Sequence, residues 1–139
     1  MKLSTRSRYG IRIILELARH NCDTPLQVSK IARTQHIPVK YLEQLIRTLK
    51  KADLITSVRG SKGGHQLKQP AEKITIGQLV RLFEGQTDLV ACVSTPENCQ
   101  MAEACPVRNV WSEATEAMYA KLDGATIADL LCENDAVKT

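Results

Sequence analysis

Apolar side chains recur at helical spacing from the first residues onward. Ile11, Ile14, Leu15 and Ala18 fall three and four residues apart, the interval that gathers one face of a helix. Ser4 and Thr5 stand ahead of this stripe as capping residue types, and Asn21–Pro25 interrupts it. A short helix is predicted from about Gln27 to Thr34, with Val28, Ile31 and Ala32 turned inward. His36-Ile37-Pro38 reads as a turn, with Pro38 suited to the first position of the next helix, where a missing N–H costs nothing. That helix runs from Pro38 to about Lys51. Leu42, Leu45, Ile46 and Leu49 form its buried stripe, and Lys40, Glu43, Gln44, Arg47 and Lys50 face outward. Two short helices joined by a tight turn, the second basic on its outer face, have the shape of a helix-turn-helix.

The period then changes. Leu54–Val58 is β-prone, Arg59-Gly60-Ser61-Lys62-Gly63-Gly64 is a glycine-rich basic tip, and His65-Gln66-Leu67 returns as a second strand, which together make a wing. Ile74 to Phe83 is predicted as a helix with Ile76, Leu79, Val80 and Phe83 on one side. Residues 85–106 lose all periodicity and carry Gly85, two prolines and three cysteines. A connection longer than about 12–15 residues without regular structure is functional or disordered. Beyond it Val107, Trp111, Ala114, Met118 and Leu122 fall at near-heptad spacing, widened by Val110 and Ala117. That is a long amphipathic helix with a face to bury. Thr126 to Leu131 is a last short helix, and the tail after Glu133 is expected to fray.

Charge divides the chain. The net charge is +4, but residues 1–68 hold 14 Lys and Arg against 4 Asp and Glu, whereas residues 69–139 hold 5 against 11. The basic half reads as a surface facing a polyanion. No apolar run approaches the roughly 20 residues of a membrane helix, and Met1–Arg6 is charged where a signal peptide would be apolar. The expected compartment is the cytoplasm, without a membrane partner. Five cysteines are an odd and ill-placed set for disulfides in a reducing compartment.

Two constellations carry chemistry. Residues near the start of a recognition helix reach base edges in the major groove, which selects Lys40, Tyr41, Gln44 and Arg47. Gln44 suits adenine, and Arg47 suits guanine or a phosphate. In the wing, Arg59 is shaped for a narrow minor groove, and Gly60 with its neighbouring glycines lets backbone approach the sugar–phosphate chain. The tip lacks the Lys-Ser/Thr ending of a nucleotide-binding P-loop. The second constellation is Cys92, Cys99 and Cys105, with six residues between the first two and five between the last two. Three thiolates on one irregular segment suit a soft metal or an iron–sulfur cluster, and the spacing is not that of zinc ribbons. On spacing alone, three packed thiols or one disulfide with a spare are the alternatives. Cys22 and Cys132 read as packed residues, and His20, His36 and His65 as isolated side chains. A redox enzyme using Cys99 and Cys105 would lack both a Cys-x-x-Cys pair and a general base, so no enzymatic activity and no small-molecule substrate are expected.

Lys2-Leu3-Ser4-Thr5-Arg6-Ser7-Arg8-Tyr9-Gly10, Tyr41-Leu42-Glu43-Gln44-Leu45, Val58-Arg59-Gly60, Gly63-Gly64 and Thr126-Ile127-Ala128-Asp129-Leu130 together resemble the IscR/NsrR family of bacterial winged-helix regulators. The three-cysteine segment followed by a helix bearing Trp111 is similar too, so the resemblance spans residues 1 to about 132. It implies a homodimer on a double-stranded DNA operator, with the long helix crossing its twin and the cysteine loop near the partner's first helix. It implies DNA reading by Tyr41, Gln44 and Arg59, with Glu43 tuning which operators the cluster-free form accepts. It also implies an iron–sulfur cluster on Cys92, Cys99 and Cys105, of [2Fe-2S] type with [4Fe-4S] as the alternative. Arg108 stands where IscR-like members place a histidine as fourth ligand, and a guanidinium has no lone pair to offer iron. An acidic ligand near the start of helix 1, as in NsrR-like members, is also missing: the stretch reads Arg6-Ser7-Arg8.

The expected fold is mainly α with a small β-wing: a winged helix-turn-helix plus a long C-terminal dimerisation helix. Residues 1–84 form the DNA-binding domain, 85–106 the cysteine-bearing loop, and 107–139 the dimerisation helix and C-terminal segment. The expected function is transcriptional repression gated by the cluster, with iron–sulfur cluster assembly genes as targets. A repressor responsive to nitric oxide or iron is the alternative. A cluster-free partner of a cysteine-metabolism enzyme is the alternative of another class.

Overall fold

A computed structural model describes residues 2–20, 23–85 and 87–137. Six α-helices and one two-stranded antiparallel sheet follow in the order α1 (Thr5–Arg19), α2 (Val28–Gln35), α3 (Val39–Lys51), β1 (Ile55–Val58), β2 (Gly64–Leu67), α4 (Ile76–Glu84), α5 (Arg108–Asp123) and α6 (Ile127–Val137). Short 3-10 turns at Ala71–Lys73 and Pro96–Asn98 complete it. This is the expected winged helix-turn-helix with a long helix near its end. No helix among the described residues is long and apolar enough to cross a membrane.

The core is aliphatic. Ile13, Ile14, Ile31, Leu42, Leu45, Leu49, Leu54, Ile74, Leu79 and Ile127 are among its fully buried side chains. The stripe read for α3 holds: Leu42, Leu45, Ile46 and Leu49 are all buried. For α1 the buried line is instead Ser7, Gly10, Ile13, Ile14 and Leu17, while Ile11, Leu15 and Ala18 lie at its margin. The reason is a close helix crossing. A Cβ on Gly10 would meet Cε2 of Phe83 on α4 at 2.1 Å, so the smallest residues mark the contact line and the apolar count misses them.

Ser4 occupies the N-cap position of α1, but its side chain makes no capping bond and is engaged elsewhere, as described below. Pro38 sits at the N-cap of α3, one position before the predicted place. The turn before it is closed by His36, which adopts the left-handed conformation at φ 55°. α4 begins two residues later than predicted, because Thr75 caps it by accepting from Gln78 N–H at 3.1 Å. Ile74 is fully buried all the same, in extended backbone rather than helix.

The C-terminal segment returns to pack on the N-terminal part of the fold. Thr75 and Thr126 form an isolated antiparallel bridge. Ile76 N–H donates to Ala125 O and Ile127 N–H to Ile74 O, both at 2.9 Å. α6 packs on α1 and on the 71–73 turn, and it continues to Val137, well past the Leu131 end read from the sequence. Cys132, read as packed, is exposed on it. Cys22 lies outside the described residues.

Candidate nucleic-acid interface and cysteine segment

α3 projects its polar side outward. Lys40, Glu43, Gln44 and Arg47 are exposed, and Tyr41 is half-buried at the helix start. The wing stands beside it, with Ile55 paired to Leu67 and Val58 to Gly64. Arg59 and Gly60 are exposed at its tip. Three glycines make that tip. Gly60 has φ +116°, a Cβ on Gly63 would sit 2.1 Å from Val58 O, and Gly64 at φ +154° crowds Leu26 O. The last contact reflects a third backbone pairing: Leu26 N–H donates to His65 O at 2.8 Å, and His65 N–H to Leu26 O at 2.9 Å. The wing is thereby tied to the entry of α2. All seven predicted DNA-contact residues thus fall on the α3 face or the wing tip.

His65 is not merely isolated. Its Nδ1 lies 3.0 Å from Ser57 Oγ across the hairpin. Burial, and then the nearby Lys50 ammonium, push its pKa below the ordinary value. The neutral imidazole is therefore the form the wing is built around.

Between α4 and α5 the chain turns repeatedly, as its composition predicts. Cys92, Cys99 and Cys105 are all free thiols and half-buried, so the disulfide alternative is not realised. Ala102, between the last two, is buried. The thiols are not gathered: among the described residues no three His, Cys, Asp or Glu side chains form a group able to hold a metal ion. Arg108, the first residue of α5, turns back over the segment. Its Nε donates to Cys92 O at 3.0 Å and its Nη2 reaches Val93 O at 3.5 Å, which pins the first cysteine's backbone to the helix start.

α5 has two unlike faces. Thr115 and Tyr119 are buried toward α4. Thr115 Oγ1 donates to Trp111 O at 2.8 Å, and Tyr119 Oη lies 2.9 Å from Thr87 Oγ1. Arg81 on α4 stacks 4.3 Å above the Tyr119 ring and pairs with both carboxylate oxygens of Asp123, at 2.6 and 2.9 Å. Of the apolar stripe read from the sequence, Val107, Val110 and Trp111 are 41 %, 55 % and 37 % exposed, whereas Ala114, Met118 and Leu122 are half-buried.

Residues 3–133 match the family described as Rrf2, iron-dependent transcriptional regulator. The chain belongs to the Rrf2 family. Protein rrf2 of Nitratidesulfovibrio vulgaris is 46 % identical over 131 residues, 94 % of this chain and 87 % of that protein. Among solved structures, CymR (YrzC), the global cysteine regulator of B. subtilis, superposes with a TM-score of 0.79 at 35 % identity, over 94 % of this chain and 95 % of its own. T. potens IscR does so with a TM-score of 0.79 at 31 % identity, over 100 % and 92 %. An Rrf2 protein is a transcriptional regulator and not an enzyme. The α3 face and wing are accordingly the parts of this Rrf2 chain suited to DNA.

The sequence reading missed the polar contacts that hold these parts in place. Glu84, Gln35 and Arg12 carried no motif. The only available signal was their spacing relative to α1, which has meaning once the helix crossings are known.

Proposed function

We propose that this Rrf2 protein is a homodimeric, sequence-specific repressor whose DNA binding is gated by an iron–sulfur cluster on Cys92, Cys99 and Cys105. The observation that carries the reading is the set of three free, half-buried thiols on one segment strung between the reading domain and α5. Thiolates are the donors that iron–sulfur clusters require. Because the thiols stand apart, closing them around a cluster would reorder the segment, so cluster binding and local folding are one event. Arg108 offers iron no donor atom, so beyond the three thiolates any fourth ligand comes from elsewhere, and loss to oxidants or competing acceptors is the natural signal. Cluster assembly genes are the targets we favour, and a nitric oxide or iron response is the variant within the class.

In this reading α3 enters the major groove with Lys40, Tyr41, Glu43, Gln44 and Arg47, and the wing lays Arg59 and Gly60 against the minor groove. Glu43 would repel phosphate or select cytosine. The apolar stripe of α5 meets its twin in the dimer, since the exposed Val107, Val110 and Trp111 need a cover.

One observation favours a second reading. The likeness to CymR is as close as that to IscR, and CymR is the global cysteine regulator of B. subtilis. A cluster-free protein that responds through a partner enzyme of cysteine metabolism is the corresponding function. Anaerobic purification separates the two. The proposed function expects a brown dimer containing iron and sulfide, whose operator affinity or operator choice changes when the cluster is removed. A colourless dimer that binds the operator equally well before and after reconstitution supports the second reading instead.

A further inference from the structure

The first turn of α1 is bonded in two directions. On one side, Ser4 N–H and Ser4 Oγ both donate to Glu84 Oε1, at 2.8 and 2.6 Å. Ser7 Oγ reaches the same oxygen at 2.5 Å. Ser7 is fully buried, and a buried hydroxyl needs a partner; Glu84 is the nearer one, with Ser4 O at 3.2 Å as a second acceptor. Glu84 is the last residue of α4, and Gly85, at φ +76°, then turns the chain out toward the cysteine segment. The hydrogen bonds from Ser4 and then Ser7 hold the Glu84 carboxyl below its ordinary pKa, as expected for a carboxylate serving several donors.

On the other side, Thr5 Oγ1 lies 3.0 Å from Tyr41 Oη. The Tyr9 ring meets Tyr41 edge to face, with centroids 6.0 Å apart. One turn on, Arg12 Nε donates to Gln35 Oε1 at 2.9 Å, and Gln35 Nε2 donates to Glu16 Oε2 at 2.7 Å. Thr5, Tyr9, Arg12 and Glu16 fall at intervals of four, three and four, so they share one helix face. That face grips the end of α2 through Gln35 and the start of α3 through Tyr41. The opposite edge of the same first turn grips Glu84.

From this geometry we infer that Glu84 is a positioning residue for Tyr41. By fixing the first turn of α1 it fixes Thr5, and Thr5 orients the hydroxyl that the recognition helix presents at its N-terminal end. The inference rests on the proposed DNA-reading role of Tyr41. It adds that the group setting Tyr41 is rooted where the cysteine segment leaves α4. Whatever reorders that segment acts first on Gly85 and Glu84, and so on Tyr41 through a connected row of hydrogen bonds rather than through the hydrophobic core.

The test uses the full-length protein and an operator selected from random-sequence duplex DNA. Wild type, Glu84→Gln, Thr5→Val, Tyr41→Phe and the Glu84→Gln/Tyr41→Phe double variant are compared. Operator affinity, affinity for unrelated duplex at the same salt, and denaturant unfolding are measured. Couplings between residues in one hydrogen-bond network run to about 1 kcal/mol, or about fivefold in affinity. Glu84→Gln should therefore weaken operator binding about fivefold and leave non-specific binding unchanged. Thr5→Val, at an exposed position, should reproduce the loss without loss of stability. In the Tyr41→Phe background Glu84→Gln should have no further effect on affinity. A full, additive loss in that background overturns the inference and makes Glu84 a residue of stability alone. Unchanged operator affinity in Thr5→Val overturns it as well. If Tyr41→Phe by itself leaves operator affinity intact, the DNA-reading role of Tyr41 falls, and this inference with it.

Discussion

Arg59 and Gly10 show how differently single side chains contribute. Arg59 is exposed at a glycine-rich tip, so its removal leaves the fold alone. Arg59→Ala should lower operator affinity by about 1–3 kcal/mol, read by gel shift at fixed salt, with no change in unfolding midpoint. Unchanged affinity would remove the wing tip from the interface. Gly10 is the reverse case. A Cβ there would stand 2.1 Å from the Phe83 ring, and Phe83 is itself buried, with little room to yield. Gly10→Ala should cost about 1–3 kcal/mol of stability, the usual result of overpacking, as measured by urea unfolding. The cysteines lie between these cases. Each single change of Cys92, Cys99 or Cys105 to Ser should abolish cluster absorbance and leave a folded dimer, while the exposed Cys132→Ser should leave the absorbance intact. A triple variant that represses like wild type in iron-replete anaerobic cells would make the triad structural.

α5 and the wing are elements whose behaviour depends on what covers them. Met118 belongs to the apolar stripe on α5, and Met118→Glu should give monomers in light scattering. A fully dimeric variant would place the dimer contact on another face. The wing carries a titration. Its His65 has a pKa below the ordinary value through burial and the neighbouring Lys50, so the folded state disfavours the charged imidazole. The unfolded chain binds the proton first as pH falls. Stability is therefore fully present above the ordinary histidine value and is lost as pH drops through the lower, folded one. Protection of the β1–β2 amides, corrected for the intrinsic pH dependence of exchange, should fall across that window, and His65→Asn should remove the dependence.

Which elements were legible follows from the same physics. α3 could be read because its four buried leucine and isoleucine positions are all large and apolar. α1 was displaced because Ser7 and Gly10, its closest contacts, do not count as hydrophobic. Ile74 is as buried as any residue, yet it lies in a bridged extended stretch, where periodicity says nothing. The basic α3 face and the cysteines were visible as residue types. Glu84 and Thr5 were not, since their role depends on a crossing between residues 80 positions apart.

Across the whole molecule, the winged helix and α5 are joined twice. One join is the covalent cysteine segment, 87–107. The other is the stitch of Thr75 to Thr126, with Ile76 and Ile127 bonded across it and Arg81 clasping Asp123 beside it. This second join holds α5 to the winged helix independently of the segment. If the proposed dimer forms through α5, a change in the segment should alter how tightly the assembled protein grips its operator, not how many subunits arrive there. Titration curves for cluster-loaded and cluster-free protein should share one steepness, or Hill coefficient, and differ only in midpoint. A steeper curve for the cluster-free form would show that the subunits had come apart on dilution, and that a change in the segment reaches the contact between subunits.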